Sequence, residues 1–201
     1  MKWKDQIWIY DDIIPKAQQD KIENMLLSYT FKWGFIDNVT SGGSHKKRPA
    51  FGHTFVRNGK VITQEDTIRT IEPIWAGCME KLMERTGTVG KYAFVQSRSF
   101  LQVPLRNIHG SKLDAHHIDV ADEHFALLYY VCDSDGDTVL FKNMYSKDNP
   151  KPPEPHELRE KARVTPKKGR VVIFDGYHWH TATQPSKNIR CIINTDVLQH
   201  E

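Results

Sequence analysis

The first 90 residues contain two stretches in which hydrophobic residues recur at the spacing of one helix face. In the first stretch they stand at i, i+3, i+4 and i+7 and are Ile22, Met25, Leu26 and Tyr29. This spacing predicts an amphipathic helix. We expect Asp11 or Asp12 to cap this helix and Pro15 to lie in its first turn.

The second helical pattern runs from residue 67 to residue 85. Its hydrophobic face consists of Ile68, Ile71, Trp75, Met79, Leu82 and Met83. Thr63 followed by Asp66 resembles a capping box, which predicts the start of the helix there. Pro73 has to lie early in this helix or kink it, because proline lacks the N–H of the helical hydrogen bond.

From Tyr92 onward the pattern changes to short runs of aliphatic and aromatic residues bounded by Gly, Pro, Asp or Asn. These runs predict strands near residues 94–103, 125–132, 138–141, 170–174 and 189–197. Several short strands with turn residues between them are typical of a sandwich or a jelly roll. Residues 142–168 contain five prolines and are predicted to form a long insertion. The predicted fold class is therefore mainly β, with an α+β character from the N-terminal helices.

Composition and length predict one soluble domain. The chain has 201 residues, of which 39% are hydrophobic and 26% charged. We expect residues 1–90 to form a helical support region and residues 91–201 a jelly-roll catalytic core. A net charge of +3 is too small to indicate nucleic-acid binding by itself.

The cysteines and the hydrophobic runs give an expectation for the compartment. The three cysteines are widely spaced and predict neither a disulfide framework nor a CxxC site, so we expect a cytoplasmic protein. No stretch approaches the roughly 20 apolar residues of a membrane span, and the first residues do not resemble a signal peptide. We therefore expect no membrane partner.

The sequence His117-Ile118-Asp119 carries the first candidate chemistry. On an extended segment residues i and i+2 point to the same side, so this imidazole and carboxylate can bind one metal, whereas His116 points away. A third ligand has to come from elsewhere, and the segment RVVIFDGYHWH offers His178 and His180. Two histidines and one carboxylate are the ligand set of non-haem Fe(II) oxygenases and leave three coordination positions open. By itself, such a tripeptide occurs by chance in many proteins and is more often part of a polar loop.

Arg190 adds a second candidate function near the same site. It follows His180 by ten residues, on the next predicted strand, among Ile189, Ile192 and Ile193. These apolar neighbours disfavour a wholly exposed strand, although an ordinary surface charge is the alternative. A buried arginine binds a carboxylate through two parallel hydrogen bonds, so we expect Arg190 to hold the distal carboxylate of 2-oxoglutarate.

The chain resembles the 2-oxoglutarate- and Fe(II)-dependent dioxygenases, specifically the prolyl-4-hydroxylase-like branch and its phage-encoded members. The motifs that carry the resemblance are HHIDV, LYYVCDSDGDTVLF, TPKKGRVVIFDGYHWH and QPSKNIRCIIN. They cover residues 92–197. The opening IYDDIIPKAQQDKIENMLLS, followed by FKWGF, is similar to the N-terminal region of the phage members.

The resemblance implies a double-stranded β-helix, which is a cupin-like jelly-roll barrel with its metal site at the open end. It implies three metal ligands, which are His117, Asp119 and His180, and so favours His180 over His178. It places the carboxylate clamp at Arg190. It also implies that the Tyr130 hydroxyl contacts 2-oxoglutarate and that Leu128, on the same strand face, packs on its methylenes. A plain core position is the alternative for Tyr130.

The cofactors implied by the resemblance are Fe(II), 2-oxoglutarate as cosubstrate and O2, with ascorbate as a candidate reductant. The presence of Asp119 favours hydroxylation or another oxygenation, because related halogenases lack this carboxylate. Two other functions remain open. One is a metal-binding jelly-roll module without oxygenase activity, such as a phage structural or binding protein. The other is a cupin-like enzyme that does not use 2-oxoglutarate.

The substrate is not fixed by these motifs. The branch acts on protein side chains, free amino acids or nucleic acids, so the expected partner is a protein or peptide, an amino acid or a nucleic acid. Basic residues gather in the predicted loops: Lys46, Lys47, Arg48, Lys147, Lys151, Lys161, Arg163, Lys167 and Lys168. The aromatic residues Trp33, Phe51 and Tyr145 lie among or near them. They predict either an acidic or nucleic-acid surface or simply a solvated one, and we favour the solvated one. A phage-encoded member is expected in the host cytoplasm.

Overall fold

The computed structural model describes residues 5–39, 48–87, 92–105 and 113–199. It contains two helices, α1 (Lys16–Leu26) and α2 (Glu65–Thr86). Five strands precede or follow these helices in the first half of the chain: β1 (Ile7–Tyr10), β2 (Gly34–Ile36), β3 (Ala50–Arg57), β4 (Lys60–Val61) and β5 (Tyr92–Gln102). Six more complete the described part: β6 (His124–Tyr130), β7 (Thr138–Met144), β8 (Glu160–Val164), β9 (Val171–Asp175), β10 (His178–Ala182) and β11 (Arg190–Gln199).

The strands form two antiparallel sheets. The larger sheet has the order β1-β9-β6-β11-β5-β3-β2, and β4 pairs with β3. The smaller sheet has the order β10-β7-β8. Mainly β structure with antiparallel sheets and two helices is what the sequence predicts.

The layers follow from the alternation of side chains along the central strands. On β6, one set of residues joins a core with α1 and α2, namely Phe125, Leu127 and Tyr129. The alternate set joins a second core with Leu140 of β7 and Ile192 of β11, namely Ala126, Leu128 and Tyr130. The larger sheet is therefore covered by the helices on one face and by the smaller sheet on the other. Because both faces are buried, β6 reads as a continuous apolar run.

The first helix is present but begins and ends differently from the prediction. Pro15 is the residue that caps it, with an extended backbone, and no side chain makes a capping hydrogen bond. The predicted caps Asp11 and Asp12 are wrong, because Pro15 separates them from the first turn. The Asp12 carboxylate instead accepts hydrogen bonds from Lys16 and Gln19. The helix ends at Leu26, so Tyr29 is not on its buried face and is fully exposed.

The second helix agrees with its predicted hydrophobic face. Ile71, Trp75 and Leu82 are buried in the core beneath the larger sheet. The predicted capping box is wrong, because Gln64 is the capping residue and makes no side-chain cap. The hydroxyl of Thr63 is instead hydrogen-bonded to Nε2 of His53 at 2.9 Å. Pro73 lies inside the helix.

The five strands predicted after Tyr92 are all present, as β5, β6, β7, β9 and β11. The predicted insertion is shorter than expected, because β7 continues to Met144 and β8 pairs with β7. The described part of residues 1–90 contains four strands in addition to the two helices. Neither described helix is long and apolar enough to cross a membrane.

Candidate metal centre and its pocket

The segment that carries the His-x-Asp sequence lies beside β10. The backbone N–H of His117 donates to the carbonyl of His180 at 2.9 Å, and the N–H of His180 donates back to His117 at 3.0 Å. This reciprocal pair is an isolated bridge and not part of a longer strand. It sets the two imidazoles side by side, with ring centroids 4.5 Å apart.

His117, Asp119 and His180 converge on one point. Their ligand atoms all lie within 4.8 Å of one another. Nε2 of His180 is 3.2 Å from one carboxylate oxygen of Asp119, and Nε2 of His117 is 3.8 Å from the other. Two imidazole nitrogens and a carboxylate at this spacing fit a single six-coordinate Fe(II) on one face.

Two further side chains hold the Asp119 carboxylate. Arg98 on β5 donates to Oδ1 at 3.0 Å, and Asn194 on β11 donates to Oδ2 at 3.1 Å. Burial raises the pKa of the Asp119 carboxyl, but the hydrogen bond and charge of His180 outweigh it and hold the pKa well below its usual range. The carboxylate is therefore charged and oriented before any metal binds.

The rival ligand His178 belongs to a different part of the molecule. Its Nδ1 is hydrogen-bonded to the carbonyl of Phe141 at 2.7 Å, and its Nε2 lies 3.3 Å from Asp5. The ring is fully buried. His116 also turns away, with its Nε2 2.9 Å from the carbonyl of Pro153 and its ring against Trp179. Of the histidines at issue, the structure brings His117 and His180 together with Asp119.

Gly176 lies in the turn between β9 and β10, just before the strand that carries His180. A Cβ at this position would lie 2.0 Å from Nε2 of the buried His124. Glycine is therefore needed here for a close approach of the backbone to the His124 ring. Asp175 accepts a hydrogen bond from the backbone N–H of Tyr177 at 3.0 Å, which fixes the turn.

A pocket of about 410 Å³ opens above the three ligands. This volume lies within the usual range of small-molecule sites, ~300–1,000 Å³. Its apolar wall is made by Ile36, Val39, Phe100, Ile118, Leu128, Phe174 and Ile192. Arg190 lies in the same lining and is only 4% exposed.

Arg190 is held by three neutral acceptors. Its Nε donates to the carbonyl of Gly136 at 2.9 Å, and its two terminal nitrogens donate to Gln102 at 3.2 Å and to Thr138 at 2.9 Å. A guanidinium has five N–H groups, so two remain without an acceptor among the described residues. Burial lowers the pKa of Arg190, which nevertheless stays charged at neutral pH. A buried cation without a described anionic hydrogen-bond partner fits a bound carboxylate.

Leu128 and Tyr130, on the same face of β6, differ in their relation to the pocket. Leu128 lines the pocket, and its contact with the methylenes of the cosubstrate stays a prediction. Tyr130 is fully buried and is not among the described lining residues. Its hydroxyl donates to Oγ1 of Thr138 at 2.8 Å, the same oxygen that accepts from Arg190. Tyr130 therefore reaches Arg190 through Thr138.

A second arginine at the pocket is buried in an ion pair. Arg48, predicted as part of a solvated basic loop, is 4% exposed and donates to Asp114 at 2.6 Å. The other oxygen of Asp114 accepts from Gln102 at 2.9 Å. Gln102 in turn accepts from Arg190, so a chain of hydrogen bonds connects the two arginines.

The other basic residues do not gather at the pocket. Lys46 and Lys47 lie outside the described residues. Within residues 161–168, each of the four basic side chains is in an ion pair with an acidic side chain: Lys161 with Asp5, Arg163 with Glu160, Lys167 with Asp11, and Lys168 with Asp20 and Glu23. Lys147 pairs with Asp122. Lys151 is exposed. Apart from the buried Arg48, the described part of this cluster therefore belongs to the surface, and five of its six side chains there are paired with acids.

The sequence interpretation missed Arg98, Asn194, Gln102 and Thr138. The alternation of strand residues offered a signal for some of them. Asn194 is four positions after Arg190 on β11, so it shares the face of the predicted clamp. Arg98, Phe100 and Gln102 follow the same alternation on β5 and all line the pocket. This alternation identifies the site residues only if β5 is known to pair with β11, and the sequence does not reveal that pairing.

Comparison with solved structures identifies the fold. A 2OG-Fe(II) oxygenase family oxidoreductase from Burkholderia pseudomallei matches with a TM-score of 0.69 at 12% identity, over 97% of this chain and 86% of that chain. A viral collagen prolyl hydroxylase from Paramecium Bursaria Chlorella virus-1, solved as its 2OG complex, matches with a TM-score of 0.55 at 16% identity, over 95% and 94%.

A third match is a prolyl hydroxylase from Trichoplax adhaerens in complex with a hypoxia inducible factor peptide fragment. Its TM-score is 0.61 at 13% identity, over 96% of this chain and 83% of that chain. No family model and no curated protein matches the chain. At these identities the likeness shows the fold, which is that of 2OG-Fe(II) oxygenases.

Proposed function

We propose that the protein is an Fe(II)- and 2-oxoglutarate-dependent oxygenase that hydroxylates its substrate. The observation that carries the proposal is the combination of two features in one pocket. His117, Asp119 and His180 form a potential metal site, and the buried Arg190 offers free donors to a carboxylate. A purely structural metal would not need such a cation. The likeness in fold to oxygenases solved with 2OG supports the same conclusion.

In this proposal the three ligands bind Fe(II) on one face, and Arg190 and Leu128 orient 2-oxoglutarate. The iron and the cosubstrate supply the oxidising chemistry, for which ascorbate is a candidate reductant. In the balanced reaction, a C–H bond, O2 and 2-oxoglutarate yield an alcohol, succinate and carbon dioxide. One oxygen atom enters the alcohol and the other enters succinate. Arg98 and Asn194 keep Asp119 oriented, and the apolar wall limits access of water to the reacting atoms.

We also infer that the two sheets form a double-stranded β-helix whose open end is the pocket, and that the chain is a single domain. The core shared by β6, β7 and β11 supports this inference, because it lies between the two sheets. Candidate substrates are a peptide or protein side chain, or an amino acid. Nucleic acid is less well supported, because the described basic side chains of residues 161–168 are paired with acids.

The test is to load the protein with Fe(II) and 2-oxoglutarate under nitrogen and to look for a weak visible charge-transfer band. Succinate is then measured after O2 and candidate substrates are added. We expect the band and succinate with the wild type. Neither is expected with H117A, D119A or H180A, which should lower succinate formation at least about 100-fold, because each removes a ligand outright.

Two matched variants complete the test. H156A removes an exposed histidine outside the site and should behave like the wild type. H178Q, checked by circular dichroism for folding, should retain one bound metal if His180 is the third ligand. A wild type that binds 2-oxoglutarate no better than H180A does would refute the proposal.

A further inference from the structure

Arg98 is the cation beside the metal ligands, and its hydrogen bond to Asp119 uses only part of its donor capacity. It lies on β5 opposite Asn194 of β11 and lines the pocket. Its side chain is 31% exposed, whereas that of Asp119 is 5% exposed. Arg98 is therefore the arginine at the open side of the site.

The guanidinium of Arg98 has unused donors. One terminal nitrogen donates to Asp119 at 3.0 Å, and the group lies over the Phe100 ring at 5.4 Å from its centroid. Its Nε is buried and has no hydrogen-bond acceptor among the described residues. A buried donor without an acceptor destabilises the protein unless a ligand satisfies it. The fixed fork of a guanidinium suits a planar carboxylate in particular.

The balance of charge around the pocket points the same way. The charged side chains that line it, taken together with Arg48 as the ion-pair partner of Asp114, are three arginines and two aspartates: Arg48, Arg98, Arg190, Asp114 and Asp119. Asp196 lies behind Asn194, and burial raises the pKa of its carboxyl well above the usual range. The charge of Fe(II) and that of dianionic 2-oxoglutarate cancel. One positive charge is left over. Arg48 is paired with Asp114, so the excess belongs to the group formed by Fe(II), 2-oxoglutarate, Asp119, Arg190 and Arg98. Within this group Arg98 is the partly exposed cation, since Arg190 is buried.

We propose that Arg98 binds a carboxylate of the substrate, so that the enzyme oxidises a C–H bond a few bonds away from that carboxylate. This inference rests on the proposed function. The wall of the pocket that Arg98 lines is aliphatic at Ile36, Val39 and Ile118, which favours a carboxylic acid with an apolar side chain, such as an amino acid. A polyanionic substrate is disfavoured, because its strong binding would need several cations, whereas Arg98 provides a single one.

The test compares pairs of probes that differ only in the carboxylate. The probes are N-acetyl-L-leucine, N-acetyl-L-valine and N-acetyl-L-proline, each with its carboxamide, and N-acetyl-aspartyl amide for a side-chain carboxylate. Their dissociation constants are measured by calorimetry on protein loaded with Mn(II) and 2-oxoglutarate under nitrogen. Succinate release with Fe(II) and O2 is measured in parallel.

We expect at least one carboxylate to bind about 10- to 100-fold more tightly than its amide, the range of a charge-assisted hydrogen bond. R98Q should bring this ratio of dissociation constants close to one. The ratio for R98K should lie between those of R98Q and the wild type, because lysine keeps the charge but loses the two parallel N–H donors of the guanidinium. R57Q removes an exposed arginine from the end of β3 and should keep the wild-type ratio. If Arg98 only orients Asp119, R98Q weakens metal binding without changing the ratio.

The outcomes separate this inference from the proposed function. If the wild type binds 2-oxoglutarate and releases succinate but no carboxylate is preferred over its amide, the role of Arg98 is refuted and the oxygenase remains. If 2-oxoglutarate is neither bound nor consumed, the oxygenase proposal fails, and the calorimetric ratios still decide whether Arg98 binds carboxylates. A preference for N-acetyl-aspartyl amide over the other acids would assign the carboxylate to a peptide side chain. Should R98Q not fold, the comparison of the wild type with R98K decides, because an R98K ratio equal to the wild-type ratio would refute the role of the guanidinium.

Discussion

At the scale of single residues, the cosubstrate end of the pocket is organised around one hydroxyl. Oγ1 of Thr138 accepts hydrogen bonds from both Arg190 and Tyr130. Burial raises the pKa of Tyr130 to about 12, so its hydroxyl stays protonated and is a donor at neutral pH. The Thr138 oxygen is thus fixed as an acceptor for Arg190.

This arrangement predicts an order of effects on the KM for 2-oxoglutarate. R190M should raise it about 100-fold, because two charge-assisted hydrogen bonds are lost. T138V should raise it about 5- to 10-fold, because one of the hydrogen bonds that orient Arg190 is lost. Y130F should change it less than about threefold, since Thr138 can still accept from Arg190. Initial rates of succinate formation measure all three, and a Y130F effect as large as that of R190M would show that Tyr130 contacts the cosubstrate directly.

The site residues that the sequence predicted are those with a distinctive chemical type. A His-x-Asp step and an arginine among isoleucines stand out in a single sequence. Arg98 and Asn194 do not stand out, because their role depends on β5 and β11 being neighbours. The sequence also suggested direct contact from Tyr130, since it cannot show that Thr138 comes between. The pairing of distant strands cannot be predicted from the pattern of a single sequence, and these residues depend on it.

At the scale of elements, the loop from β10 to β11 is held by the loop from β6 to β7. Asp135 accepts hydrogen bonds from the backbone N–H groups of Ser186, Lys187 and Asn188. Burial raises the pKa of the Asp135 carboxyl, but the hydrogen bond from the Ser186 hydroxyl and those backbone bonds outweigh it and lower the pKa. The loop that Asp135 holds leads directly into Arg190.

A pH-dependent loss of stability follows. Because the folded-state pKa of Asp135 is depressed, its stabilisation is present above the unfolded pKa of about 4 and is lost as pH falls towards the folded value. D135N should lower stability at pH 7 by about 1–2 kcal/mol, or a Tm fall on the order of 2–8 °C. The difference from the wild type should shrink at pH 3, as followed by circular dichroism. D148N, an exposed carboxylate in the next loop, is the control, and an equal fall in D148N would contradict this role.

The elements predicted best were those with strong periodicity. The face of α2 and the strands after Tyr92 were correct, whereas the caps of both helices were wrong because Pro15 and Gln64 occupy those positions. The strands β1 to β4 were missed. They are short or contain glycine and polar residues, as in AFGHTFVR, and their place in the sheet depends on β9 and β5 as partners.

At the scale of the whole molecule, the N-terminal segment is tied to strands late in the chain. β1 pairs with β9 at one edge of the larger sheet, and Asp11 forms ion pairs with Lys167 and Arg170. The metal ligands likewise come from two separate segments, one before β6 and one on β10. The site therefore exists only when segments distant in the sequence have been brought together by the fold.

Ligands that bind only the folded site should accordingly stabilise the whole molecule. At 100 times its dissociation constant, a ligand adds about 2.7 kcal/mol to the free energy of unfolding. For a chain of this length that corresponds to a Tm rise of about 5–10 °C. We expect Mn(II) to raise the Tm of the wild type and 2-oxoglutarate to raise it further only when Mn(II) is present.

Two variants assign each step of this stabilisation to its residues. D119A should lose both shifts, because without the metal 2-oxoglutarate lacks half of its binding site. R190M should keep the shift with Mn(II) and lose the additional shift with 2-oxoglutarate. Differential scanning fluorimetry with and without a chelator measures each step. A 2-oxoglutarate shift that survives in R190M, or that appears in the wild type without metal, would mean that the cosubstrate binds elsewhere than between Arg190 and the three metal ligands.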